Sequence, residues 1–504
     1  MKINKVFHHK NMKTPLPKKL RAFASSWFIL VFAFLVSCSP NNSNPVAVRT
    51  LALKDCVLPT GFNEQVNAQC GTLSVPEDRT NPGGRKIALN IALVPAIKKV
   101  PAPDPFFMLA GGPGQSAVDV FPPYLASLTN IHEGRDIVLV DQRGTGKSNP
   151  LLCLDPETDE TLTEEQIIEK TQTCPTRLEA DPRFYTTEIA MQDLDDVRAA
   201  LGYETINIYG ASYGTRAALT YLRMFPKNVR TLTLDSVVEP GFIMLLDAAK
   251  DGQAALDFFF ARCTADDACK TAFPNLKTEF DGLLSRLETT PAEITIPHPQ
   301  TNQPLELTVN RELITNMVFN VLYSPDLVAT LPLNLHLAYT DQNYLPLISQ
   351  AYLLDADLND GMFYAVACTE DAPLVNATEA EKRSQGSVFG DRTRSFVAVC
   401  EKWPKGTVSP AFREPIVSDV PTLILSGEAD PITPPWHAEK VAAGLSNKLH
   451  LIFKGMGHGN FSSRCATRLL TSFIETASVS GLDTDCVAAI APPPFFVNFS
   501  GPRP

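Results

Sequence analysis

The run Gly210-Ala211-Ser212-Tyr213-Gly214 constrains this chain more than any other stretch, because both of its flanks fit one geometry. A short apolar β-type run, Ile206–Tyr209, precedes it, and Thr215–Met224, which has the pattern of a helix, follows. A G-x-S-x-G between strand and helix is a nucleophile elbow. The turn is so sharp that its flanking positions must be small, and the serine Oγ is pushed clear of the backbone for attack. A plain surface turn could share the pentapeptide, so the weight falls on what accompanies it.

Strand-like runs at Ile87–Val94, Phe106–Leu109, Ile137–Val140 and Val229–Leu234 alternate with helix-like stretches such as Thr187–Leu201. Such alternation over about 55–240 predicts an α/β fold, a largely parallel sheet wrapped by helices. Over 241–394 the pattern changes, and helical segments such as Leu246–Cys263 and Arg311–Leu322 dominate between Pro-rich connections. Alternation resumes with Thr422–Ser426 and Leu449–Phe453, followed by an amphipathic helix over Ser463–Ser478. The expected organisation is a core in two parts, 55–240 and 395–490, an α-helical cap inserted at 241–394, and a Pro-rich tail at 491–504. No internal repeat is visible.

The first 37 residues carry seven Lys and Arg and no acid, and the apolar stretch Phe23–Val36 ends at Leu35-Val36-Ser37-Cys38. That stretch is shorter than the ~20 residues of a membrane span but suits the core of a signal peptide. Residues Leu35–Cys38 look like a bacterial lipobox, with cleavage before Cys38 and a lipid on its thiol; an ordinary secretory signal is the alternative. The Ser/Asn/Pro-rich residues that follow read as a tether, placed at 38–54. The chain has 11 cysteines, so ten remain beside Cys38 for the exported domain. An even set without C-x-x-C pairs suggests disulfides rather than zinc. Sequence does not fix their connectivity; neighbour pairing would give Cys56–Cys70, Cys153–Cys174, Cys263–Cys269, Cys368–Cys400 and Cys465–Cys486. Net charge is −11, and −18 once the seven basic residues of the leader are removed. So acidic a surface argues against nucleic acid and against adhesion to anionic lipid heads, which leaves the lipid itself as the membrane contact.

A serine hydroxyl needs a base in contact with it, itself held by an acid. On an elbow of this kind the order along the chain is Ser, Asp or Glu, then His. Of the five histidines after Ser212, His458 alone lies in a glycine-flanked loop, Gly455-Met456-Gly457-His458-Gly459, just past a β run. His298, in a Pro-bracketed loop, and His450, inside the strand, read as structural. For the acid, Gly427-Glu428-Ala429-Asp430-Pro431 offers Asp430, deeper in the turn and stiffened by Pro431, with Glu428 in reserve. The apolar strand Phe106–Leu109 enters Ala110-Gly111-Gly112-Pro113-Gly114, a loop whose backbone can approach a reacting carbonyl closely. Charge developing on a tetrahedral intermediate needs pre-aimed N–H donors, here Tyr213 and either Gly111 or Gly112. Gly144-Thr145-Gly146-Lys147-Ser148 imitates the end of a phosphate-binding loop, but Asp141 stands where its first glycine belongs, so nucleotide binding is not expected. No cluster of metal ligands is visible, and no cofactor is implied.

Together, Ala110–Gly114, Asp141–Ser148, Gly210–Gly214 and Gly455–Gly459 resemble the proline iminopeptidase branch of the α/β-hydrolases, and most closely the secreted tripeptidyl aminopeptidase-like proteins. Further matching runs are Cys70–Pro76, Tyr185–Thr187, Asp193–Arg198, Cys368–Pro373 and the late Cys465 and Cys486. The resemblance covers about 55–486 and implies an α/β-hydrolase fold. It also implies a serine exopeptidase that removes short units, a tripeptide, dipeptide or proline, from peptide N-termini. Such an enzyme needs a carboxylate for the substrate's α-ammonium, which relatives take from the cap; Glu370 is the first candidate here, with Glu239 and Asp371 behind it. One departure is Ala110, where these enzymes often carry His, and it weakens any transfer of substrate preference. An esterase with the same triad is the alternative, and a catalytically dead binding lipoprotein a third class. The expected partners are an oligopeptide and, through the lipid, a membrane; the sequence does not fix the oligomeric state, with a monomer favoured.

Overall fold

The computed structural model describes residues 50–61, 64–155, 159, 162–298, 302–352 and 358–502; the expected leader, Cys38 and most of the tether lie outside them. The strands among the described residues are β1 (Lys54–Gly61), β2 (Glu64–Pro76), β3 (Lys86–Val94), β4 (Phe106–Leu109), β5 (Ile137–Val140), β6 (Ile206–Ala211), β7 (Val229–Asp235), β8 (Ala292–Pro297), β9 (Pro304–Val309), β10 (Thr422–Gly427) and β11 (Lys448–Phe453). Nine of them form one sheet in the order β1-β2-β3-β5-β4-β6-β7-β10-β11. Pairing is antiparallel from β1 through β5 and parallel from there to β11.

The central strands explain why the sheet sits between two helical layers. Every residue of β4 (FFML) and β5 (IVLV) is buried, as expected for strands covered on both faces. Alternate side chains serve opposite layers. Phe107, Val138 and Ile208 join one apolar cluster with Leu194 and Val197 of helix Thr187–Ala200 and Ala217 and Leu222 of helix Tyr213–Met224. Phe106, Met108, Ile137 and Leu139 join the other, with Leu470 and Phe473 of helix Arg464–Thr476. The parallel strands point their C-terminal ends at one edge, where the loops after β4, β6, β10 and β11 carry the candidate chemistry.

Residues 241–394 depart from the all-helical expectation. Helices Ala248–Ala265, Leu276–Thr289, Arg311–Val321 and Leu331–Thr340 share an apolar cluster, but the hairpin β8–β9 packs into it as well through Ile296, Leu305 and Val309. Helix Asp360–Glu370 packs elsewhere: Met362, Val366 and Cys368 cluster with Leu151, Tyr185 and Tyr213 of the first core part and with Val399 and Trp403. The tether also ends early, since the Thr50 and Leu51 N–H groups bond the Ala200 carbonyl (2.9 and 3.3 Å). The Pro-rich tail is no free appendage. Phe495 is buried in the cap cluster, Arg262 stacks 3.9 Å from its ring centroid, and the Phe496 N–H donates to the Ala329 carbonyl (2.8 Å).

Among the described residues five disulfides join Cys56–Cys70, Cys153–Cys174, Cys263–Cys269, Cys368–Cys400 and Cys465–Cys486. Deleting the Phe495 ring leaves a cavity in the cap and removes the ring that Arg262 stacks on, so Phe495→Ala is expected to cost about 3–5 kcal/mol and to lower the melting temperature in a thermal scan.

Candidate active site

Ser212 sits between β6 and helix Tyr213–Met224 with φ 55° and ψ −125°, a conformation L-residues rarely adopt. Its neighbours make the turn possible. A methyl group at Gly210 would lie 2.3 Å from the Gly214 carbonyl oxygen, and one at Gly214 would lie 2.3 Å from that of Leu109. The Ser212 N–H is held by the Asp235 carbonyl at the end of β7 (2.9 Å). Strain at an elbow of this kind persists because the surrounding backbone fixes it.

The acid and the base meet as the chain order predicts. His458 Nδ1 lies 2.8 Å from Asp430 Oδ2. Asp430 Oδ1 accepts the Ile432 and Thr433 N–H groups (3.0 and 2.9 Å), and the Thr433 hydroxyl donates to Oδ2 (2.9 Å) while lying 3.2 Å from His458 Nδ1. Burial opposes the charge on Asp430, but the imidazole beside it and the two N–H donors hold the carboxyl down to about 2. Burial likewise pulls the imidazole down, and the Asp430 charge and hydrogen bond outweigh it, leaving His458 above the usual histidine value. With Nδ1 turned to the acid, Nε2 is the atom left to take a proton. Glu428 is not in this pair; its carboxylate accepts the Gly455 N–H (3.0 Å) and braces the histidine loop.

The donors divide. Tyr213 is the first residue of its helix, so its N–H has no carbonyl one turn back to bond. The Gly111 N–H is held by Gln115 Oε1 (3.1 Å), whereas the Gly112 N–H bonds nothing among the described residues. Gly112 and Tyr213 are therefore the pair that geometry favours, and Gly111 becomes part of the loop's own bracing.

The three acids expected at a cleft are internal. Glu370 is buried, with Oε1 accepting the Thr187 N–H (2.7 Å), Oε2 accepting the Thr187 hydroxyl (3.0 Å) and Arg216 at 3.6 Å. Asp371 is locked between Arg216 (2.9 Å) and Arg413 (2.8 Å). Glu239 pairs with His437 Nδ1 (2.8 Å) and with the ammonium of Lys440 (2.7 Å). The cause is plain: Arg216, buried four residues past Ser212, takes both cap acids as ion-pair partners. The Thr187 hydroxyl that Glu370 holds also contacts the Tyr213 phenol (2.7 Å), so this network supports the residue after the nucleophile.

Several functional neighbours went unread in the sequence. Thr433 carried a signal, since an Asp followed three residues later by Thr is a capping turn. Asp235 and Ser236 carried none; the first accepts the Asn460 and Phe461 N–H groups (2.8 and 2.9 Å) and the second that of Gly459 (2.9 Å). The false phosphate loop is likewise explained. Asp141 is buried and accepts bonds from Ser116, Val118, Asn90 and Lys147, organising the loop as a structural bracket. Among the described residues no group of three or more His, Cys, Asp or Glu could hold a metal ion.

An elbow serine, a carboxylate-bound histidine and paired backbone donors at the C-terminal edge of a parallel sheet define a serine hydrolase. The chain belongs to the alpha/beta hydrolase fold family, whose model matches residues 104–464. It is similar to the serine protease Hip1 of Mycobacterium tuberculosis, 26% identical over 437 residues that span 78% of this chain and 81% of that protein. It is also similar to a tripeptidyl aminopeptidase of Streptomyces coelicolor, 32% identical over 207 residues (37% of this chain, 38% of that one). A third relative, carboxylesterase B of M. tuberculosis, is 29% identical over 227 residues, 40% of this chain and 43% of that one.

Two outcomes follow from the geometry. Ser212→Ala should lower kcat by ~10⁶-fold in steady-state assays of any substrate turned over, with the melting temperature unchanged. Glu370 is raised from the usual glutamate range to about 7, by burial first, against the pull of Arg216. An acid raised in the folded state contributes most when protonated, and that contribution fades as pH rises from the unfolded value to about 7. Glu370→Gln should therefore gain stability relative to the wild type across that window, by a few kcal/mol at pH 8 in parallel denaturant titrations.

Proposed function

We propose that this chain is an extracytoplasmic serine exopeptidase that releases short N-terminal units, a tripeptide, dipeptide or proline, from oligopeptides. The single observation that carries the chemistry is the His458–Asp430 pair, 2.8 Å apart, set against an elbow serine. Ser212 Oγ attacks the scissile carbonyl carbon as His458 Nε2 takes its proton, and Asp430 steadies the resulting imidazolium. The oxyanion is met by the Gly112 and Tyr213 N–H groups. The C–N bond then breaks, His458 returns the proton to the leaving amine, and a water molecule, deprotonated by the same imidazole, hydrolyses the acyl-enzyme.

The peptidase reading is supported by similarity to the Hip1 protease over most of both chains and to a tripeptidyl aminopeptidase over a shorter span. The exo mode draws on the inserted segment, which packs on the loops of Asp430 and His458 through Ile432 and Tyr323 and so limits reach on that side. Of the three acids named for the substrate's ammonium, all buried and paired, Glu239 alone has a half-exposed primary ammonium, Lys440, as a partner. Export is favoured by five disulfides, which persist in oxidising compartments, and a lipid on Cys38 would supply the anchor. The second reading, an ester hydrolase, draws on the similarity to carboxylesterase B.

The test is hydrolysis of Ala-Ala-Pro, Ala and Pro chromogenic amides, each with free and acetylated N-termini, beside a short p-nitrophenyl ester. Turnover confined to free-amine amides is the expected result, and the preferred length sizes the pocket. Ester turnover without amide cleavage, blocked or free, overturns the exopeptidase reading.

A further inference from the structure

We propose that Tyr323, a residue of the inserted segment, is a positioning residue for His458, so that the segment holds the general base in place. The inference rests on the Ser212–His458–Asp430 site but not on which acyl substrate it takes. Tyr323 follows helix Arg311–Val321 and meets the histidine loop twice. Its carbonyl accepts the His458 N–H (2.8 Å), and its ring stands edge-on to the imidazole, centroids 5.1 Å apart and planes at 66°. An edge-to-face ring pair at that separation fixes the tilt of a ring as well as its place. The approach is so close that position 457 must lack a side chain, since a methyl there would lie 2.3 Å from the Tyr323 carbonyl oxygen and 3.2 Å from that of Leu322.

The contact is rigid on its far side. Phe319 packs on Tyr323 (5.8 Å), and Phe319 is covered in turn by Phe389 (5.2 Å) and by the Arg392 guanidinium (4.3 Å). Ile432, two residues past Asp430, is buried in the same cluster, so one packed body supports both the acid and the base. On the core side, Ser236 and Asp235 hold only the residues after the histidine, Gly459 to Phe461. At His458 itself, the Tyr323 carbonyl holds the backbone, and Asp430, the Thr433 hydroxyl and the Tyr323 ring contact the side chain. Displacement of a catalytic group by about 1 Å is enough to cost on the order of 10²-fold in rate.

The test is the labelling rate of Ser212 by a fluorophosphonate, which reports the nucleophile and its base whatever acyl group is the natural substrate. Tyr323→Leu keeps apolar bulk but removes the ring edge; it is expected to label about ten- to a hundred-fold more slowly. On any amide or ester turned over, the loss should fall on kcat with KM within about threefold. Tyr323→Phe, which keeps the ring, should restore most of the lost rate. Equal labelling by the wild type and the Leu variant overturns the role of Tyr323, and so does a Phe variant as slow as Leu. A wild type that does not label at all overturns the serine site beneath it instead, which separates the two failures. If Tyr323→Leu loses its cooperative melting transition, Gly457→Ala, which pushes the same two segments apart from the other side, is read by the same labelling rate. A Gly457→Ala protein that labels like the wild type overturns the inference.

Discussion

One buried aspartate ties the strand and turn of the candidate nucleophile to the histidine loop. Asp235 ends β7, and its backbone carbonyl takes the Ser212 N–H (2.9 Å). Its side chain takes the Asn460 and Phe461 N–H groups and the Tyr209 hydroxyl (2.8, 2.9 and 3.0 Å). Nucleophile strand, nucleophile turn and histidine loop thus converge on one residue in the sheet's interior. Burial raises the carboxyl above the usual aspartate range, and the ring of donors is what such a group requires to remain inside. The sheet supplies position and this residue supplies relative position, which matters more for a reaction whose atoms must meet within a few tenths of an ångström.

Much of this was legible in the chain because the relevant signals are local. Strands β3 to β7, β10 and β11 are apolar runs between turn residues, and both motifs that flank the chemistry are glycine-spaced turns that few other geometries need. What escaped was set by distant partners. Strands β1, at the sheet's edge, and β2, beside it, mix Pro, Asn, Gln and Glu with many positions exposed, and their alternation is too shallow to stand out. The hairpin β8–β9 is six residues a side with half of its positions exposed, and it packs against the cap helices. Nothing in the run Cys368-Thr369-Glu370-Asp371 reveals that Arg216 and Arg413 will claim its acids, since those cations lie 155 and 42 residues away from Asp371.

The inserted segment has two allegiances. Its larger part packs around Phe259, Phe280 and Val318 and reaches the histidine and acid loops. Helix Asp360–Glu370 instead belongs to the cluster behind Tyr213 and is tied to helix Arg394–Lys402 by the Cys368–Cys400 disulfide. Composition divides the chain at 241 and 394, but packing divides it between these two clusters. The segment therefore meets the candidate site from two clusters, one reaching the Asp430 and His458 loops and one packing on Tyr213 beside Ser212.

The order of the cysteines carries a consequence for how such a chain matures. Along the described sequence, each cysteine is bonded to the next one, never to a more distant partner, and no bridge spans more than 32 residues. A polypeptide threaded through a membrane presents its thiols one after another to an oxidant waiting on the far side. Among the ten described cysteines, linking each to the next in order gives the observed set. If the chain is exported as proposed, thiols oxidised in that order would need no later reshuffling.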